Sequence, residues 1–262
     1  MTDITSVNNP RVKDVVRLQR SSADRREAGL FCIERTRELT RALDAGLTVT
    51  EVYATRDDDE AVRRAVREGA RLASVNEAVL HKMSYQENPQ GFVAVVRART
   101  RPLSALPAER GLFLVCSGLE KPGNVGAILR SADAAGASGV IIDDEKFDLF
   151  NPNCIRSSTG AVFSLPISCA SRLDVMAWLQ DHGVRVVAAT PEASVRYTDA
   201  DLTGAVALVV GAEAEGLDEA WRKSASTRVA IPMRGVADSL NVSVTAALLL
   251  FEAVRQRERA GR

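Results

Sequence analysis

The chain has 262 residues, 46% hydrophobic and 26% charged, and its Lys and Arg balance Asp and Glu to a net charge of zero. That composition is ordinary for a globular protein with a real core and room for one or two domains, and it offers no global electrostatic attraction to nucleic acid, so any basic surface must come from folding. No apolar run approaches the roughly 20 residues of a membrane span, and the N-terminus MTDITSVNNP lacks the basic-then-apolar pattern of a signal peptide, so the expected location is the cytoplasm.

In chain order, residues 5–28 interleave Arg11, Lys13, Arg17, Arg20, Arg25 and Arg26 with Val12, Val15, Val16 and Leu18. This reads as one amphipathic basic helix starting near Pro10, which suits a first helical turn. It is either a solvated face or an arm over phosphates. Strands and helices then alternate. Leu30–Glu34, Glu51–Thr55, Arg71–Val75 and Gly91–Val96 read as strands. Thr36–Ala45, Glu60–Glu68 and Asn76–Met83 read as helices, the last capped by Asn76. Strands separated by short helices imply a small α/β layer with parallel pairing. Residues 99–111, RTRPLSALPAERG, lack periodicity and read as an interdomain linker.

The second half opens with strand Leu112–Cys116, loop SGLEKPGN and a helix from about Val125 to Ala135. Strand Val140–Ile142 precedes an acidic turn, Asp143–Glu145, and a helix over Asn151–Ser158. Val162–Ile167, Val184–Ala189, Ala205–Val210 and Thr227–Ile231 read as strands, with helices over Arg172–Asp181 and Asp218–Ser224. This is a second α/β unit with a mostly parallel sheet. Residues 231–252 close it with a polar loop followed by a nearly unbroken apolar helix. The first N–H groups of that helix need partners, which Ser239 and Asn241 can supply as caps or a ligand can supply instead.

Several chemistries fit poorly. Cys32, Cys116, Cys154 and Cys169 are widely spaced without a C-x-x-C pair, which suggests neither a metal site nor a redox motif. His81 and His182 lie in separate segments, and no Ser/His/Asp arrangement is evident. Gly118, Gly123 and Gly126 have the wrong spacing for a dinucleotide fingerprint, and the Walker pattern is absent. Paired carboxylates stay open as a general acid and base, although Glu213 and Glu215 alternate and need not face one site. Loops 117–124, 211–217 and 232–241 follow strands, where ligands bind in open α/β sheets.

Three segments in order resemble the SpoU/TrmH family of RNA ribose 2′-O-methyltransferases, within the SPOUT superfamily. They are Asn124-Val-Gly-Ala-Ile-Leu-Arg130 with SADAAGA, Val210-Gly211-Ala-Glu213-Ala-Glu-Gly216-Leu217, and Ile231-Pro232-Met233 through Ser239-Leu240-Asn241-Val-Ser243-Val. Each is weak alone; three in order at strand ends are a specific match over 111–258. The first hundred residues are similar to the RNA substrate-binding domain often fused ahead of this catalytic domain. Ser6, Asn9, Phe31-Cys-Ile-Glu34 and Asn88-Pro89-Gln90-Gly91-Phe92 carry that likeness. Arg35 departs from it, standing where the family usually has Gly; Ala214 and Thr245 are smaller departures.

The resemblance implies an α/β fold with a C-terminal SPOUT domain, residues 111–262, holding a parallel sheet and a deep trefoil knot. It implies a smaller N-terminal α/β sandwich RNA-binding domain over 1–100, joined by a linker over 101–110. It implies S-adenosylmethionine as cofactor, no metal, no membrane, and structured RNA as partner, with ribosomal RNA favoured. Arg130 would bind the phosphate beside the target ribose; Asn124, Glu213, Ser239 and Asn241 would complete the catalytic set. Val210, Gly211, Ile231, Met233 and Leu240 would hold the cofactor. A homodimer is implied too, and helix 242–254 carries more apolar surface than one sheet face needs.

Overall fold

A computed structural model describes residues 2–56, 58–212 and 216–261. The chain divides into two compact units, Met1–Arg99 with Asp148–Ser164, and Thr100–Phe147 with Leu165–Arg262.

The first unit runs β1 (Thr2–Ile4), α1 (Pro10–Arg20), α2 (Ser22–Ala28), β2 (Leu30–Ile33), α3 (Thr36–Asp44), β3 (Val49–Ala54), α4 (Glu60–Arg67), β4 (Arg71–Val75), α5 (Glu77–Met83) and β5 (Phe92–Arg97). Its sheet has the order β1-β4-β3-β5-β2. On one face Val12, Val15 and Leu18 of α1 meet Val79, Leu80 and Met83 of α5 over Tyr53, Val93 and Val95. Alternate strand residues such as Phe31, Ile33, Val52 and Ala94 are buried on the other face, as a strand's period of two requires.

Two expectations are corrected here. The pairing is mixed: β1, β4 and β3 are parallel, but β5 runs antiparallel to β3 and β2. After α5 the eight residues 84–91 carry the chain back to the end at which β3 finishes, so β5 enters from the opposite direction. The basic segment is two helices. Ser21 takes an extended conformation and its side chain caps α2 by accepting from Asp24 N–H at 3.1 Å, which ends α1. Arg25 is buried and bonded to Asp148, and Arg11 pairs with Glu51. Lys13, Arg17, Arg20 and Arg26 are the exposed basic residues of the pair.

The second unit contains β6 (Leu112–Cys116), α6 (Pro122–Ala134) and β7 (Gly139–Ile142). The chain then contributes α7 (Pro152–Ser157) and α8 (Ala161–Ser164) to the first unit. It resumes with β8 (Ile167–Cys169), α9 (Arg172–Asp181), β9 (Arg185–Ala189), β10 (Val195–Arg196), β11 (Val206–Val210), α10 (Glu219–Ser224), β12 (Thr227–Ala230) and α11 (Val242–Ala260). The strand expected over Val162–Ile167 is therefore a helical turn followed by β8. Its apolar run, VFSLPI, serves two elements separated by Pro166, and periodicity cannot split so short a run.

All six pairings of the seven-stranded sheet, β10-β12-β9-β11-β6-β7-β8, are parallel. LFLVC of β6 and VALVV of β11 lie at its centre and are buried at every position, as a sheet covered on both faces demands. Leu106 of the segment before β6 is buried in the core with Phe113, Trp178 and Trp221. Among the described residues no helix is long and apolar enough to cross a membrane.

Candidate active site

Parallel strands bring their carboxyl ends to one edge of the second unit, and three loops emerge there. The first two are neighbours because β6 and β11 are paired. Ser117 N–H donates to Val210 C=O at 2.9 Å, and a Cβ on Gly118 would lie 3.7 Å from Ala212 Cβ. Gly211 is required by close approach: a Cβ there would lie 2.5 Å from the backbone of Gly216 and 2.6 Å from Leu217 N. Any side chain at Gly211 forces that loop open.

The third loop leaves β12, three strands from β6 in the sheet order, and ends at α11. Asn241 is the N-cap of α11, accepting from Ser243 N–H at 2.9 Å and Ser243 Oγ at 2.6 Å. Asn241 Nδ2 also donates to Asn124 Oδ1 at 3.3 Å, in the first turn of α6. The loop thus crosses the sheet edge from β12 to the helix that follows β6. Pro232 through Ser239 are all exposed, with Ile231 and Leu240 half-buried at the two ends. Among the described residues no backbone group of 232–240 pairs with another backbone group. Such groups stay available for exchange with a ligand.

The expected site residues separate accordingly. Asn124 and Asn241 meet. Gly211 sits at the end of β11, and Val210 is buried in the strand with its carbonyl already engaged by Ser117. Met233 is 37% exposed, and Ser239 is exposed without a capping role, which Asn241 fills alone. Arg130 is exposed on α6, about 9 Å along the axis from Asn124 and on a different face. Glu213 lies outside the described residues.

Backbone donors and acceptors beside apolar Ile231, Met233 and Leu240, with a glycine that admits close approach, fit the adenine and methionine parts of S-adenosylmethionine. Cysteine chemistry does not fit. Burial, then Asp143 and Cys169, push the Cys116 thiol up, and burial pushes Cys169 up to about 12, so both stay protonated. Among the described residues no cluster of His, Cys, Asp or Glu is arranged to hold a metal ion.

One organising residue escaped the sequence reading. Asp143, taken there for part of an acidic turn, is buried at the end of β7. Its carboxylate accepts from Ser117 Oγ at 2.6 Å, Gly118 N–H at 3.2 Å, Arg172 Nε at 3.1 Å and Trp221 Nε1 at 2.8 Å. Arg172 also pairs with Asp218, the N-cap of α10. Asp143 therefore fixes the loop after β6 to α9 and α10. The available signal was the adjacency of Asp143 to a strand end, but its donors are distant in sequence.

A profile of the SpoU rRNA Methylase family matches residues 111–251, and one of the MRM3-like substrate binding domain matches residues 9–94. A 23S rRNA (uridine(2479)-2′-O)-methyltransferase of Streptomyces viridochromogenes is 35% identical over 250 residues, covering 89% of this chain and 85% of that protein. A crystal structure of an RNA 2′-O ribose methyltransferase aligns over 97% of this chain and 99% of its own, with 46% identity and a TM-score of 0.85. An AdoMet-bound rRNA methyltransferase from Sinorhizobium meliloti aligns over 97% of both chains, with 34% identity and a TM-score of 0.89.

Proposed function

The chain belongs to the SpoU rRNA methylase family, and from that premise we propose that it methylates a ribose 2′-hydroxyl of ribosomal RNA, using S-adenosylmethionine. The observation that carries this reading is the Asn241–Asn124 hydrogen bond, which joins the third loop to the first turn of α6 at the strand ends. When bound, S-adenosylmethionine supplies an electrophilic methyl group on a positive sulfur. Val210, Gly211, Ile231, Met233 and Leu240 are the residues assigned to hold it. Arg130 is assigned to the phosphate beside the target ribose, where its charge offsets the negative charge developing on the attacking oxygen. It is not the base, because Arg stays protonated in proteins; the proton leaves to that phosphate or to water. Asn124 and Asn241 hold the loops in register, Ser239 contributes a hydroxyl to the exposed loop, and Glu213 is assigned to orient Arg130.

Residues 1–100 act in this reading as the RNA substrate-binding domain, 101–110 as the linker and 111–262 as the catalytic domain with its C-terminal trefoil knot. Ribosomal RNA as substrate sets the work in the cytoplasm. The enzyme acts as a homodimer. Val244 and Phe251 are 46% and 50% exposed, seven residues apart on α11, and so form one apolar stripe. Helix α6, which exposes Arg130, packs against α11. A single-chain mass by light scattering at micromolar concentration would refute the dimer.

Arg130→Ala tests the site. Methyl transfer should fall at least about a hundredfold, the usual scale for losing one group that stabilises developing charge, while S-adenosylmethionine affinity by calorimetry stays within a few fold. Equal loss of both refutes the assigned role. No cofactor binding by the wild-type chain at millimolar concentration refutes the enzyme.

A further inference from the structure

The loop after β11 leaves at Gly211–Ala212 and returns at Gly216–Leu217, and these two ends lie against each other. Ala212 and Gly216 form an isolated antiparallel bridge, in which Gly216 N–H donates to Ala212 C=O at 2.9 Å. The contact that forbids a Cβ on Gly211 is with the same Gly216 and Leu217 backbone. The outgoing end is held by the sheet, because it continues from Val210 of β11. The returning end continues into no strand. It passes through Asp218 into α10, so its position depends on what that helix offers it.

What it offers is Arg222. Leu217 is buried, and its carbonyl would accept from Trp221 N–H if the helix began one residue earlier. That N–H is already taken by the capping Asp218 Oδ1 at 3.0 Å. Among the described residues no backbone N–H donates to Leu217 C=O, and Arg222 Nε donates to it at 2.8 Å. A buried carbonyl is costly to leave without a donor. The same guanidinium lies over Gly216, where a Cβ would stand 3.7 Å from Arg222 Nη2. One side chain therefore touches both residues of the returning end. Helix α10 is itself anchored, since Asp218 pairs with Arg172 and Trp221 Nε1 donates to Asp143. Arg222 carries that anchorage onto the loop. It is half-buried and lines an open groove with Thr190, Ser194, Lys223 and Arg228, so changing its far end opens no hole in the core.

We propose that Arg222 is a positioning residue for the cofactor. By holding Leu217 C=O, it keeps the returning end of the loop against Gly211, in the shape that receives S-adenosylmethionine. The role lies in the Nε–H donor and its place on the side chain, not in the positive charge. Arg222 acts through the Leu217 backbone and touches no reacting atom. Its loss therefore weakens cofactor binding, while saturating cofactor restores the rate: KM for S-adenosylmethionine moves and kcat does not. The proposal rests on the reading that Gly211 and its loop hold the cofactor, and it adds the residue that sets the shape of that loop.

Two variants of the full chain separate donor from charge. Arg222→Gln places an amide N–H as many bonds from the backbone as Arg Nε and removes the charge; Arg222→Met keeps the reach and has no donor. Each is compared with wild type by calorimetry with S-adenosylmethionine, by thermal scanning, and by methyl transfer from labelled S-adenosylmethionine to ribosomal RNA from cells lacking the protein. Arg222→Met should raise Kd and KM for S-adenosylmethionine about tenfold, the scale of one hydrogen bond from a charged donor. Its kcat should stay within about threefold, and its thermal midpoint within about 5 °C. Arg222→Gln should stay within about threefold of wild type throughout. Unchanged cofactor affinity in Arg222→Met, a glutamine variant as weak as the methionine one, or a fall in kcat at unchanged KM overturns the proposal. So does a midpoint lowered by more than about 5 °C, which makes Arg222 a support of the fold alone. Wild-type protein that binds no S-adenosylmethionine removes the cofactor reading and this one together. Wild-type binding that Arg222→Met leaves intact removes this one alone.

Discussion

Asp143 and Glu38 are both carboxylates buried in α/β units, and their surroundings are opposite. Asp143 receives four donors from three parts of the second unit, whereas Glu38 keeps one oxygen without any. A satisfied buried charge fixes the geometry of what surrounds it, whereas an unsatisfied buried polar group costs stability. The first belongs to the frame that positions the loops of the candidate active site; the second sits buried in the first turn of α3, outside that frame. Removing them should therefore move stability in opposite directions.

The largest effect is expected at Asp143. Asp143→Ala strands the Trp221 N–H and the Ser117 hydroxyl, while Arg172 keeps Asp218 and is partly exposed. The loss should be about 3 kcal/mol, below the upper range for a broken buried pair, and should lower the thermal midpoint by roughly 10 °C. Calorimetric scanning reads it directly, and a shift under 2–3 °C, about 1 kcal/mol, would show that the network is not a frame. Gly211→Ala comes next. A methyl group driven to 2.5 Å from the Gly216 backbone cannot be absorbed by a rotamer change. A loss of about 2 kcal/mol is expected, with weakened S-adenosylmethionine binding by calorimetry. Unchanged stability would mean that the loop opens freely and that this region is less rigid than the Asp143 contacts imply.

The smallest effect has the opposite sign. Burial raises the Glu38 carboxyl above its ordinary value, and its own backbone N–H and then Arg35, Arg37 and Arg41 only partly offset this. A carboxyl whose folded value is raised destabilises the ionised fold above that value, and the penalty disappears as pH falls below the unfolded value. Glu38→Gln should therefore stabilise the protein at pH 7, with the gain vanishing toward pH 4. Thermal midpoints of both proteins from pH 4 to pH 8 measure it. Destabilisation at pH 7 would make Glu38 a structural carboxylate like Asp143 and end the contrast.

The same contrast marks what the sequence could show. Apolar runs such as LFLVC and VALVV announce central strands because burial on both faces needs no partner to be known. Asn76, Asn151, Asp218 and Asn241 announce helix starts because capping is local, and each caps the helix expected after it. Asp143 could not be read this way: Ser117, Arg172 and Trp221 lie 26, 29 and 78 residues from it. Nor could the buried Arg25, whose partner Asp148 is 123 residues away and made an apparent surface arm residue into an interior one. The segment Asp148–Ser164 interrupts the second unit's chain yet belongs to the first, and no local periodicity encodes that. The three loops were legible as motifs, but their meeting through Asn241 and Asn124 was not.

The decisive measurement is a map of ribose methylation across ribosomal RNA from cells with and without this protein. One 2′-O-methyl site in ribosomal RNA should disappear with the protein, return with the wild-type chain and not return with Arg130→Ala. An unchanged ribose-methylation map, or loss of a methyl group on a base instead, would contradict the proposed function.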